Sequence, residues 1–174
     1  MTQKSTSKQI KDKNGLTEKE FLLRYNSDKY PKPSLTADIC VIDGDEILLI
    51  KRGNHPFLGC WALPGGFANR NEAIEDTAKR ELLEETGLKA QRMKLVGVYS
   101  APGRDPRGWT VSAAYRMDVD KKKIAPQAGD DAADSSFFKL SFENGKMVLK
   151  GKETIYEDDL AFDHAKIITD AFNG

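Results

Sequence analysis

At 174 residues the chain is long enough to bury one core without a covalent staple. Its 27 basic and 27 acidic residues leave no net field, which excludes a protein held to nucleic acid or to a membrane surface by bulk charge. Cys40 and Cys60 form no CxxC and have no histidine spacing for zinc, so they read as core thiols in a reducing, cytoplasmic compartment. Residues 1–14 are rich in Lys, Ser, Gln and Thr and lack an apolar stretch, and so read as a loose basic leader, neither a signal peptide nor a membrane span.

The first element is a short helix over residues 18–25, because Thr17 and Glu20 have capping-box spacing ahead of Phe21, Leu22 and Leu23; Tyr30-Pro31-Lys32-Pro33 ends that region. Residues 36–42 and 46–51 are β-rich and flank Asp43-Gly44-Asp45, the pattern of an antiparallel hairpin. Residues 53–67 read as loop apart from a short apolar stretch at 60–63. The strongest helix opens near Glu72, runs to Thr86 and closes at Gly87, the residue best able to turn left-handed after a helix. Strands are expected at 93–100 and 110–119 around a Pro/Gly/Arg-rich loop, and at 135–142 and 146–150 around Asn144-Gly145. A final amphipathic helix over 160–172 offers Leu160, Phe162, Ile167, Ile168 and Phe172 for packing. Strands and helices without strict alternation predict an α/β fold with a mixed sheet covered by helices.

The second helix carries the chemistry. At about 100° per residue, Glu81, Glu84 and Glu85 share one sector, which overlaps the stripe of Ile74, Ala78 and Leu82. Glu84 and Glu85 sit in the last turn, where the negative end of the helix dipole disfavours each by about 0.3–1 kcal/mol. Arg80 lies four residues before Glu84, but one guanidinium cannot neutralise three carboxylates. Hard oxygen ligands without a Cys or His pair suit Mg2+ or Mn2+, and Mg2+ commonly joins carboxylates to substrate phosphates.

Gly66, Glu72 and the run Arg80-Glu81-Leu82-Leu83-Glu84-Glu85-Thr86-Gly87-Leu88 resemble the complete Nudix box at every fixed position. The looser likeness extends over residues 34–172. It implies a Nudix-type α/β/α sandwich with a mixed β-sheet at 34–174, behind a leader with a short helix at 1–33. It further implies that Gly65, through its carbonyl, and Glu81, Glu84 and Glu85 hold the metal, that one carboxylate serves as base, and that Arg80 orients the cluster while Glu72 anchors the loop. Relatives add an acid from a distant loop, for which Asp130, Asp131 and Asp134 are candidates. Asn71 stands where relatives often have glycine, and Ala68-Asn69-Arg70 lacks the acid often found there.

The segments 56–64, 103–109 and Leu160-Ala161-Phe162-Asp163-His164 resemble bacterial ADP-ribose pyrophosphatases and the Nudix modules of NAD-metabolism regulators. The substrate expected from that likeness is ADP-ribose, split to AMP and ribose 5-phosphate. Arg52, Arg104 and Arg107 are the candidate phosphate donors, and Phe57 or Trp109 the adenine platform; His164 reads as a packed residue. The rivals are a sanitising (d)NTP pyrophosphatase and a sensor of an NAD-derived ligand. Few residues follow the region of likeness, and the intact acids favour an enzyme. A homodimer contacting through residues 16–25 is also expected.

Overall fold

The computed structural model describes residues 10–124 and 132–174. The chain forms two compact units, Met1–Lys32 and Pro33–Gly174. In the first, α1 spans Glu18–Arg24 and has the expected capping box: the Glu20 amide donates to Thr17 Oγ1, and the Thr17 amide donates to the Glu20 carboxylate. None of its residues is buried.

The second unit is built on one sheet of nine strands: β1 (Ser34–Asp43), β2 (Glu46–Arg52), β3 (Trp61–Ala62), β4 (Gly65–Phe67), β5 (Lys94–Tyr99), β6 (Thr110–Asp118), β7 (Ala132–Glu143), β8 (Lys146–Lys150) and β9 (Thr154–Tyr156). Their order is β5-β6-β1-β2-β7-β8-β9, with β3 on β2 and β4 on β1. β1 and β6 run parallel and the other pairs antiparallel, so the sheet is mixed.

Side chains alternate across a strand, and β1 feeds two cores. Ala37, Ile39 and Val41 pack beneath α2 (Ile74–Thr86) with Ala78 and Leu82, while Cys40 and Ile42 pack with Ile167 and Ile168 of α3 (His164–Asn173) on the opposite face. A strand buried on both faces needs a nearly continuous apolar run, which residues 37–42 supply except at Asp38. Cys40 is fully buried and its thiol is pushed up by burial; Cys60 is partly buried, and both are free. Among the described residues no helix is long and apolar enough to cross a membrane.

The structure corrects four sequence expectations. α2 begins at Ile74, because Asn71 takes a left-handed φ of 64° and Ala73 is extended. Asn71 thus occupies the kind of position that favours glycine. α3 begins at His164, because the Ala161 amide donates to the Trp61 carbonyl at 2.8 Å and Leu160 bridges to Trp61, which keeps residues 160–161 extended. Phe162 therefore lies outside the helix that was expected to contain it. Residues 65–67, expected as loop, are a strand paired with Thr36–Asp38, and β9 had no counterpart in the sequence reading.

Candidate active site

The loop before α2 is tied to the helix by one ion cluster. The Glu72 carboxylate accepts from the Asn69 amide (2.8 Å), the Thr77 hydroxyl (3.0 Å) and Arg80 Nε (2.9 Å). These bonds, Arg80's first, hold its pKa down at about 2. Arg80 also donates to Glu81 (2.6 Å), Glu84 (3.0 Å) and the Phe67 carbonyl (2.9 Å), and the Glu72 bond leads the causes that raise its own pKa.

The remaining acids face the opposite problem. Burial pushes Glu85 up to about 8 despite a 2.8 Å bond from the Gly65 amide, and the charges of Glu81 and Asp38 push it further. Burial also raises Glu81, against the pull of Arg80. Glu84 keeps 56% of its side chain exposed. Gly66 makes this packing possible, since a Cβ there would stand 2.5 Å from the Glu81 carboxylate. At the helix end Gly87 adopts φ 69°, and its amide closes on the Leu83 carbonyl at 2.9 Å.

Clustered, half-buried carboxylate oxygens with raised proton affinity suit a hard divalent cation, whose charge compensates for the water they have lost and for their mutual repulsion. The fit is one of donor chemistry. Among the described residues no three Asp, Glu, His or Cys side chains converge as a ready-made cage, because Glu81 and Glu84 turn to Arg80 and Glu85 to Gly65.

Beside these acids lies a cleft lined by Thr36, Asp38, Arg52, Leu63, Gly65, Gly66, Phe67, Arg104, Asp105, Arg107, Phe162 and His164. It brings together Gly65 and the three expected arginines, but the arginines differ. Arg104 has only 5% of its side chain exposed and grips Asp163 with two bonds of 2.9 and 2.6 Å. Burial works against its charge, yet Asp163 holds its pKa above the usual value. Arg107 forks onto the buried Asp105 and lies over the Phe67 ring. Arg52 has no carboxylate partner among the described residues: its Nε donates to the Pro56 carbonyl at 2.8 Å, and burial, then the charge of Arg107, lowers its pKa.

Other expected residues are placed differently. Phe57, 37% exposed, stands behind the cleft wall, edge-on to Phe162 at 4.8 Å. Trp109, 58% exposed, lines a separate hollow with Pro102 and Gly103. His164 is buried and packed: its Nδ1 accepts the Leu63 amide at 2.9 Å, and burial lowers its pKa. Asp134 is ion-paired with Lys152, and Asp130 and Asp131 lie outside the described residues.

The sequence reading missed Asp38, Asp105, Phe67 and Phe162 as parts of the cleft, and Asp163 as the partner that holds Arg104. Asp38 left a trace, as the one charge inside an apolar run. It is buried and accepts from the Ser112 hydroxyl, with His164 Nε2 at 3.7 Å. Asp163 left none, because its partner Arg104 stands 59 residues away in the chain, whereas Asp105 pairs with Arg107 two residues on, within the same loop.

Residues 32–155 match the NUDIX domain family model. An ADP-ribose pyrophosphatase of Methanocaldococcus jannaschii is 43% identical over 141 residues, 81% of this chain and 74% of that protein. An ADPR responsive transcriptional repressor, NtrR, of Acinetobacter baylyi is 33% identical over 162 residues, 90% of this chain and 60% of that one. Among solved structures, a MutT/nudix family protein from Enterococcus faecalis superposes with TM-score 0.79 at 37% identity, covering 91% of this chain and 69% of the other. The NUDIX domain of Shewanella oneidensis NrtR complexed with ADP ribose gives 0.71 at 28%, covering 91% and 98%. A complete box folded into the loop and helix that carry the acids, inside an α/β/α sandwich shared with these relatives, places the chain in the Nudix hydrolase family.

Proposed function

We propose that this protein hydrolyses the diphosphate bond of ADP-ribose to AMP and ribose 5-phosphate. The observation that carries this reading is the juxtaposition of opposite charges in one place: the Glu81 and Glu85 acids meet a cleft into which Arg52 brings a guanidinium without a carboxylate partner among the described residues. A diphosphate needs both, donors for its outer oxygens and a site that can neutralise the bridging charge. The 43% identity to an ADP-ribose pyrophosphatase supports the choice of nucleoside.

In this reading Glu81, Glu84 and Glu85, with the Gly65 carbonyl, hold Mg2+ or Mn2+, which when bound supplies charge neutralisation at the phosphates. Arg80 keeps Glu81 and Glu84 on the loop side of α2, and Glu72 keeps Arg80 in place. One of the carboxylates of Glu81, Glu84 and Glu85 takes the proton of the attacking water. Arg52 orients the phosphates with Arg107 beside it, Phe57 or Trp109 carries adenine, and Asp130 or Asp131 supplies the auxiliary acid. A cytoplasmic homodimer belongs to the same reading, supported by the free thiols and by the exposed Phe21, Leu22 and Leu23 of α1.

Incubation with ADP-ribose and Mg2+, with products separated by chromatography, tests the assignment. AMP and ribose 5-phosphate are expected; equal or faster turnover of a modified dNTP refutes it. A sensor of ADP-ribose is the second reading, favoured by the likeness to the NrtR domain solved with that ligand. Tight ADP-ribose binding without product would establish it.

A further inference from the structure

Two devices hold the cleft arginines. Arg104 is neutralised by Asp163 and Arg107 by Asp105, and a second device acts on Arg52 and Arg107, which converge on one aromatic ring: their Cζ atoms stand 5.1 and 5.3 Å from the centroid of Phe162. Two like charges brought together in a partly buried place repel, and the negative face of an aromatic ring is a neutral group that attracts both.

Phe162 does this from a costly backbone. Its φ of 54° lies in the left-handed region, which an aromatic residue rarely adopts and which persists only where the surroundings enforce it. Both neighbours supply that constraint: the Ala161 amide is held by the Trp61 carbonyl, and Asp163 is clamped by Arg104. The bend sets Phe162 apart from Leu160, Ile167 and Ile168, which go into the core, and brings its ring to the cleft within reach of both guanidinium groups.

We infer that Phe162 is a specificity-determining positioning residue. Its ring holds Arg52 and Arg107 as a pair, so that the cleft selects two linked phosphates over a single one. This rests on the anhydride chemistry proposed for the site, though not on the identity of the nucleoside.

Calorimetric titration of the metal-free protein with inorganic diphosphate and with inorganic phosphate tests it, alongside steady-state kinetics with ADP-ribose and Mg2+. Wild type should prefer diphosphate. Phe162→Leu should weaken diphosphate binding and raise KM for ADP-ribose by about tenfold, as expected for losing the two cation–π contacts, with phosphate binding and kcat little changed. Phe162→Tyr, which keeps the ring, should behave as wild type. Wild-type diphosphate affinity in Phe162→Leu, equal losses in Phe162→Leu and Phe162→Tyr, or no preference in the wild type would each overturn the inference. If Phe162→Leu does not fold, Arg52→Gln serves instead: it should abolish the preference, and a preference left intact also overturns the inference. Diphosphate selectivity that depends on Phe162 in a protein inert to ADP-ribose would refute the substrate assignment and leave this inference standing.

Discussion

The two sides of the site, an acidic wall beside the cleft and a basic wall lining it, are built on opposite principles. The acidic wall comes from one continuous stretch, residues 65–88, and its charges are under-compensated: Arg80 is shared among Glu72, Glu81 and Glu84, while burial lifts the proton affinity of Glu85. The basic wall is gathered from β2, the loop before β6 and the segment before α3, and two of its three arginines are already matched by carboxylates. In the proposed reading a cation completes the acidic wall, and among the described residues Arg52 alone of the three arginines lacks a carboxylate, which leaves it to the substrate.

Removing one acid should break the first wall with the largest effect. Glu85→Gln is expected to lower kcat for ADP-ribose by at least about 100-fold, since a proposed cation ligand is lost. Its melting temperature should hold or rise, because a buried carboxyl with a raised pKa gives way to a neutral amide; wild-type turnover removes Glu85 from the mechanism.

The arginines should separate cleanly. Arg104→Gln leaves Asp163 without its partner and is expected to cost about 3 kcal/mol in chemical denaturation. Arg52→Gln removes no ion pair among the described residues, so its stability should stay closer to wild type than that of Arg104→Gln while KM rises about 30-fold, the worth of a charge-assisted contact to phosphate. If Arg52→Gln destabilises more than Arg104→Gln, the division of the basic wall into a structural and a binding part fails.

The smallest effect is a pH dependence. A carboxyl whose folded pKa is raised, from 4.5 to about 8 for Glu85, contributes stability that is fully present below its unfolded pKa and is lost as pH rises through its folded one. The metal-free protein should therefore lose melting temperature between about pH 4.5 and 8 relative to Glu85→Gln, and Mg2+ should restore it at the upper end. Parallel melting curves for the two proteins across that window would show that Glu85 is not held in the strained state described.

The lesson of the two walls extends to how far each was legible beforehand. The acidic wall could be read, because a helix brings residues three and four apart onto one face whatever surrounds it. Glu81, Glu84 and Glu85, with Arg80 one turn before Glu84, needed only the periodicity of α2, and its end at Gly87 needed only the conformational range of glycine; Glu72, which precedes the helix, was legible only through the likeness to the Nudix box. The hairpin of β1 and β2 and that of β7 and β8 followed from turn residues between β-rich runs. The starts of α2 and α3 did not, because Asn71 and Phe162 take left-handed backbones that nothing local demands.

What the amino-acid order determined alone was therefore whatever depends on neighbours along the chain: the acid-bearing helix, the paired strands, and the opposition of Glu84 and Glu85 to their own helix dipole. Tertiary structure decided the rest. It chose Asp163 for Arg104, left Arg52 without a carboxylate among the described residues, drew Gly65–Phe67 into the sheet, and turned Phe162 from a helix face to a cleft wall. The physical reason is that charge pairing and desolvation act through space, between groups whose distance in sequence carries no trace of their contact.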